Sequence, residues 1–178
     1  IFNKIIKNNP ESAEAYNNLG LINLELKNTD EAKKYFEKAI DIKPSFSDPY
    51  NNLGLMFMKL DDINNSKKYY EKSIEINPDN FQAMNNLGIL SKNSGKSTDA
   101  EKYFKNAISI NTKFIPSHIN LMQLYERLNL DNELNQAIKE AEINFKDHAI
   151  VKLYKGKLLY KTQDFNEAIK NLESINFN

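Results

Sequence analysis

The sequence predicts an all-α fold, a solenoid of antiparallel helix pairs stacked in about five 34-residue units. Three observations predict it. The segment Tyr16-Asn-Asn-Leu-Gly20 recurs as Tyr50-Asn-Asn-Leu-Gly54 and as Met84-Asn-Asn-Leu-Gly88, each 34 residues after the last. Every period carries two apolar stripes at helical spacing. Turn-forming residues separate the stripes, as in Asn28-Thr-Asp30, Asp61-Asp62 and Ser94-Gly-Lys-Ser-Thr98.

Residues 1–12 read as the C-terminal helix of a preceding unit, with Phe2, Ile5 and Pro10 in phase. Unit one then spans 13–46, unit two 47–80 and unit three 81–114. In unit one Tyr16, Leu19, Gly20 and Asn23 fall at i, i+3, i+4 and i+7, one face of a first helix. Ala32, Phe36, Ala39 and Ile40 form the stripe of the second, repeated in unit three by Ala100, Phe104, Ala107 and Ile108. Pro44 and Pro78 end their second helices, because proline lacks the N–H and clashes with the preceding turn.

Glycine inside a helix costs roughly 1 kcal/mol relative to alanine. Its return at Gly20, Gly54, Gly88 and Gly156 therefore implies a packing reason. Small residues follow twelve positions later at Ala32, Ser66, Ala100 and Ala168. We expect small to face small across each hairpin, with Phe36, Tyr70 or Phe104 filling the adjacent gap. One hairpin cannot bury both faces alone, so neighbouring hairpins must stack.

Unit four, 115–148, is degenerate: His118 takes the aromatic position, Met122 the glycine, Leu134 the small residue and Lys146 the proline. Unit five, 149–178, is incomplete and places Lys152 and Lys155 where apolar residues are expected.

Aromatic, Leu-Gly, aromatic, small, aromatic, small and Pro at these offsets resemble the tetratricopeptide repeat. The stretch Pro44-Ser-Phe46-Ser-Asp48-Pro-Tyr50-Asn-Asn52-Leu-Gly54 is similar to the repeat arrays of O-GlcNAc-transferase-type proteins. The resemblance covers essentially the whole chain and is strongest in units one to three. It implies a right-handed superhelix whose first helices line a concave groove.

The candidate binding residues are asparagines. Asn18, Asn52, Asn86 and Asn120 share one phase of four successive first helices, and Asn17, Asn51 and Asn85 precede three of them. Asn is a poor helix former, so propensity does not explain it there. An amide both donates and accepts, and so can pair with the N–H and C=O of a bound peptide whatever its sequence. Packed helices lie about 8–10 Å apart, so successive rungs would meet roughly every third residue of an extended chain. Similarity to the O-GlcNAc-transferase-type arrays implies the same use. The competing reading is structural, with the amides satisfying groups of the next unit. Unit four loses its aromatic, glycine and small residue yet keeps Asn120-Leu121, while Ile119 replaces the preceding amide.

Other chemistry is disfavoured. Lysine and arginine total 24 against 24 acids, so no net field draws the chain to nucleic acid. No apolar run approaches the roughly 18–20 residues of a membrane span. Cys is absent, and two histidines, His118 and His148, lack metal-ligand spacing, so no metal or cofactor is expected. His118 reads as a core residue and His148 as solvated. Gly95-Lys96-Ser97 resembles a phosphate loop, but Leu90 stands where that motif needs glycine and a helix precedes it, so Ser97 or Thr98 reads as a helix cap. Asp61-Asp62 reads as capping rather than paired acid–base chemistry.

The expected function is a non-catalytic scaffold that binds a peptide or partner protein. Two alternatives remain open. One is the substrate-recognition arm of a larger glycosyltransferase or sulfotransferase, since the chain opens Ile1-Phe2 without Met and reads as an excised piece. The other is end-to-end self-association through uncapped termini.

Overall fold

A computed structural model describes residues 10–175 and contains ten α-helices among them. In order they are α1 (Ala13–Glu25), α2 (Thr29–Ile42), α3 (Ser47–Lys59), α4 (Ile63–Ile76) and α5 (Phe81–Asn93). They continue as α6 (Ser97–Ile110), α7 (Ile115–Leu128), α8 (Asp131–Phe145), α9 (Ala149–Lys161) and α10 (Phe165–Glu173). Consecutive helices pair antiparallel, and no strand occurs among the described residues. The helix expected over 1–12, with Phe2 and Ile5, lies outside the described residues but for its last three positions.

Several helices start where a side chain offers an acceptor for their unpaired N–H groups. Ser12 Oγ accepts from Ala15 N at 3.1 Å, and Asp62 Oδ1 from Asn65 N at 3.1 Å. Asp62 Oδ2 also accepts from Asn65 Nδ2 at 2.6 Å, and these bonds hold its carboxyl below its ordinary pKa. Of the Asp61-Asp62 pair, Asp62 is thus the cap, as its position implies. His148 is more than a solvated junction residue, since its Nδ1 accepts from Ile150 N at 3.3 Å and caps α9. The Ser94–Thr98 loop is a turn between helices, but neither Ser97 nor Thr98 caps α6. Lys96 holds the cap position without a side-chain bond, and backbone bonds such as Lys96 N to Ser91 O (2.9 Å) close the turn.

The turns inside the hairpins repeat in backbone conformation, though not in residue type. Lys27, Asp61, Gly95, Asn129 and Gln163, spaced 34 apart, have φ of 63°, 59°, 75°, 55° and 66°. This left-handed region is easy for glycine and tolerable for asparagine, but costs other residues roughly 1–2 kcal/mol.

Two compact units divide the chain, one reaching to Leu90 and one beginning at Ser91. In the first, α3 covers the hairpin α1–α2, and Leu53 and Met56 join Leu24, Ala32 and Phe36 in one buried cluster. The glycine positions differ from expectation in what faces them. A Cβ on Gly20 would overlap the Phe36 ring, one on Gly54 the Tyr70 ring, and one on Gly156 the Leu172 side chain. The glycine makes room for the residue sixteen positions later rather than for the small residue at twelve. The small residue sits beside it: Ser66 Oγ donates to Gly54 O at 2.9 Å.

In the second unit the degenerate repeat is well packed. Met122 and Ile138, at the glycine and ring positions, are both buried, as is Leu134 at the small position. The two lysines at apolar positions of α9 find anions. Lys152 Nζ lies 3.1 Å from Asp147 and donates to Ser174 O at 3.1 Å, while Lys155 pairs with Glu142 at 2.7 Å.

His118 is a core histidine, 3% exposed, whose Nε2–H donates to Thr112 O at 3.0 Å. Its ring meets Phe145 edge-on at 5.5 Å between centroids. Burial lowers its pKa below 6.5. The unfolded chain therefore takes up the proton first as pH falls, so stability is complete above about 6.5 and drains away below it. Thermal midpoints recorded from pH 7.5 to 5.5 should fall for the wild type and stay flatter for His118→Phe. Parallel curves would show that His118 does not set this dependence.

Candidate functional site

The site residues named by the sequence lie on the first helices of the hairpins. Asn17 and Asn18 are on α1, Asn51 and Asn52 on α3, Asn85 and Asn86 on α5, all in the first unit. Asn120 lies on α7 in the second unit, half-buried.

The two asparagine phases, separate in the sequence, are brought together in pairs. Asn52 Nδ2 donates to Asn17 Oδ1 at 2.8 Å, and Asn86 Nδ2 donates to Asn51 Oδ1 at 3.0 Å. Each amide of the later repeat thus reaches back to the neighbouring phase of the repeat before it. Asn17, Asn51, Asn52 and Asn85 are only 5%, 8%, 8% and 4% exposed, while Asn18 and Asn86 are half-buried. Asn85 and Asn120 make further interactions of their own.

Such a bond contributes a net 0.5–1.5 kcal/mol or so, but removing one partner leaves a buried polar group that costs about 1–3 kcal/mol. The amides therefore fix how one first helix sits on the next. They also keep capacity for a ligand, because each NH2 has two N–H groups and each carbonyl two lone pairs. Half-buried Leu21, Leu55 and Ile89 stand three residues beyond Asn18, Asn52 and Asn86, giving a surface of alternating amide and apolar character. Lys43–Glu14 (3.3 Å) lies within the first repeat and Lys59–Glu25 (3.5 Å) links the first two, both exposed and so worth little individually.

A second polar cluster escaped the sequence reading. Asn80, 6% exposed, accepts from Ala83 N at 3.0 Å and donates to Ser73 Oγ at 2.9 Å and Ser47 Oγ at 3.4 Å. Ser73 Oγ in turn donates to Ser47 O at 2.9 Å. The available signal was serine at Ser66 and Ser73, where units one and three have alanine. Among the described residues no group of three acidic or histidine side chains could hold a metal, and no helix is long and apolar enough to cross a membrane.

Models of the tetratricopeptide repeat match residues 13–46, 47–80 and 69–102, together half of the chain. No curated protein matches by sequence. Solved structures match in fold. The pilF protein of Pseudomonas aeruginosa superposes with a TM-score of 0.82 at 22% identity, over 93% of this chain and 75% of that one. Yeast Tom70 gives 0.83 at 20% identity, over 97% of this chain and 37% of that one. YrrB, described as a repeat protein of this type with an unusual peptide-binding site, gives 0.68 at 17% identity, over 97% and 89%.

Proposed function

We infer, since the chain belongs to the tetratricopeptide repeat family, that it is a non-catalytic scaffold holding a peptide or partner protein along its first helices. The observation that carries this reading is the surface of α1, α3 and α5, where the half-buried amides of Asn18 and Asn86, and that of Asn52 at 8% exposed, alternate with half-buried leucine and isoleucine side chains. Such a surface suits an extended segment whose backbone bonds to the amides while alternate side chains contact the apolar residues. The use of Asn18, Asn52, Asn86 and Asn120 on a peptide backbone is the one implied by likeness to O-GlcNAc-transferase-type arrays. The peptide-binding site described for YrrB, which shares this fold, lends it further support.

In this reading the amides have two tasks. One N–H of Asn52 and one of Asn86 lock neighbouring helices, and the remaining N–H and carbonyl lone pairs face the ligand. Asn17, Asn51 and Asn85 then act chiefly by positioning their neighbours, because they are the more deeply buried set.

Two variants test it on a peptide array. The quadruple Asn18, Asn52, Asn86 and Asn120→Ala protein removes the ladder, with circular dichroism to follow folding. Asn18→Arg obstructs the same surface while leaving both amide pairs intact. Binding weakened about tenfold or more in Asn18→Arg, with helicity unchanged, is the expected result, equivalent to about 1.4 kcal/mol. If Asn18→Arg binds every wild-type peptide as before, the ligand lies elsewhere. Should the quadruple variant unfold, Asn18→Arg decides the question alone.

A further inference from the structure

In the second unit, basic charge collects on the first helices. α7 and α9 carry five cations and one acid, whereas α8 carries one cation and four acids. Each of the four lysines of α9 is matched by an acid, as Lys157 is by Glu126 at 2.9 Å and Lys161 by Asp131 at 2.7 Å. Between the end of α5 and α7, by contrast, a cation meets a cation. Lys92, half-buried in the last turn of α5, donates through Nζ to Gln123 Oε1 at 3.1 Å. The guanidinium of Arg127, exposed on α7, donates through both terminal nitrogens to Lys92 O at 3.3 Å. Neither side chain has an ion pair among the described residues. No acid stands on α5, and the one on α7, Glu126, is held by Lys157.

The carbonyl end of α5 draws one cation to it, and Arg127 answers that demand. It does not call for a second in Lys92, where units one and two have Leu24 and Met58. Gln123 likewise stands where the three earlier units have Leu21, Leu55 and Ile89. Burial and the neighbouring Arg127 both lower the pKa of Lys92. Two like charges held side by side, one partly desolvated, cost stability until an anion joins them. Gln123 and Arg127 follow Asn120 by three and seven residues, so all three share one face of α7.

We propose that Lys92 and Arg127 bind a side-chain carboxylate of the segment held along the first helices, which makes that segment an acidic peptide. The inference rests on the groove reading and adds what the amides cannot supply. An amide bonds to any peptide backbone, whereas a pair of cations selects aspartate or glutamate and so sets the register of the bound chain. The donors are available: Lys92 Nζ has two N–H groups beyond the one given to Gln123, and the guanidinium has its Nε–H and a further N–H on each terminal nitrogen. Nucleic acid is the poorer candidate, because cations and acids balance over the chain at 24 each.

Two libraries of short fluorescent peptides, capped at both ends and randomised over uncharged residues, serve as probes. One places a single glutamate at each position in turn, and the other places glutamine there. The wild-type chain should bind the best glutamate peptides about tenfold tighter than their glutamine counterparts, with the margin shrinking as salt is raised. Lys92→Gln with Arg127→Gln should abolish that margin and leave the glutamine peptides bound as before, a selectivity that a loss of packing would not produce. Arg127 is exposed, so Arg127→Gln alone carries the test should the double variant unfold. Equal binding of both libraries by the wild type, or a glutamate margin that survives the substitutions, would overturn the proposal. Asn18→Arg, read on the glutamine library alone, reports on the groove itself. If it weakens binding while the wild type shows no glutamate margin, the groove stands and this inference alone falls. If neither library binds, both fall.

Discussion

Replacing Gly54 with Met is expected to destabilise the protein by about 2–3 kcal/mol, and replacing Tyr70 with Ile in the same chain to recover most of that loss. A Cβ on Gly54 alone would overlap the Tyr70 ring, which is fully buried and whose backbone cannot retreat because the hairpin is packed on both sides. Overpacking of this kind costs about 1–3 kcal/mol or more, and the gain in helix propensity from removing glycine returns at most about 1. Tyr70→Ile alone removes a buried ring and leaves a cavity, a loss of about 2–4 kcal/mol. It also removes the hydroxyl contact to Met58 Sδ at 3.8 Å. The chain already contains the compensated pair, since Met122 and Ile138 occupy these two positions in the fourth repeat and are both buried. Urea unfolding of the two single variants and the double, read as a mutant cycle, measures the coupling. Additive losses would show that the two positions do not share one volume.

Asn80→Ala should cost about 2–3 kcal/mol, far more than an asparagine in a loop ordinarily would. The side chain caps α5 through Ala83 N, a bond worth about 1 kcal/mol, and supplies a donor to the buried hydroxyl of Ser73. Leaving that hydroxyl short of a partner adds roughly another 1–2 kcal/mol. Asn80→Asp separates the two contributions. Aspartate caps a helix as well as asparagine does, but it cannot donate to Ser73 Oγ, whose own proton is committed to Ser47 O. The aspartate variant should therefore lose stability although its cap is intact. Wild-type stability in Asn80→Asp, measured by the same unfolding experiment, would locate the whole effect in the cap.

The period, the faces and several ends of helices were legible in the sequence, because each depends on residues within one or two turns of each other. Tyr16, Leu19 and Gly20 declare a buried face whatever lies against it, and Asp62 declares a helix start. Partners across the stack were not legible. Periodicity places Gly54 on the inner face, but only the crossing of α3 and α4 decides that the residue at sixteen, not twelve, lies over it. Likewise both asparagine phases stood out, yet their pairing at a separation of 35 depends on how far α3 is displaced along α1. The lysines of α9 were misleading for the same reason: their anions lie on α7, α8 and the turn after α8, 5 to 31 residues away in sequence for the pairs with Asp147 and Glu126.

The left-handed turns bear on how the chain acquires its structure. Lys27, Asp61 and Gln163 hold a conformation that costs each about 1–2 kcal/mol. Part of that returns locally, because the N–H after each turn residue donates to a carbonyl of the helix just ended, as Asn28 N does to Asn23 O at 2.8 Å and Asp62 N to Phe57 O at 2.9 Å. The rest is recovered when the second helix lies back along the first and closes the space over the glycine. Each turn thus commits its two helices to one another early, but a hairpin still has a second face to bury, so the cooperative quantum of folding is larger than two helices and the turn that joins them.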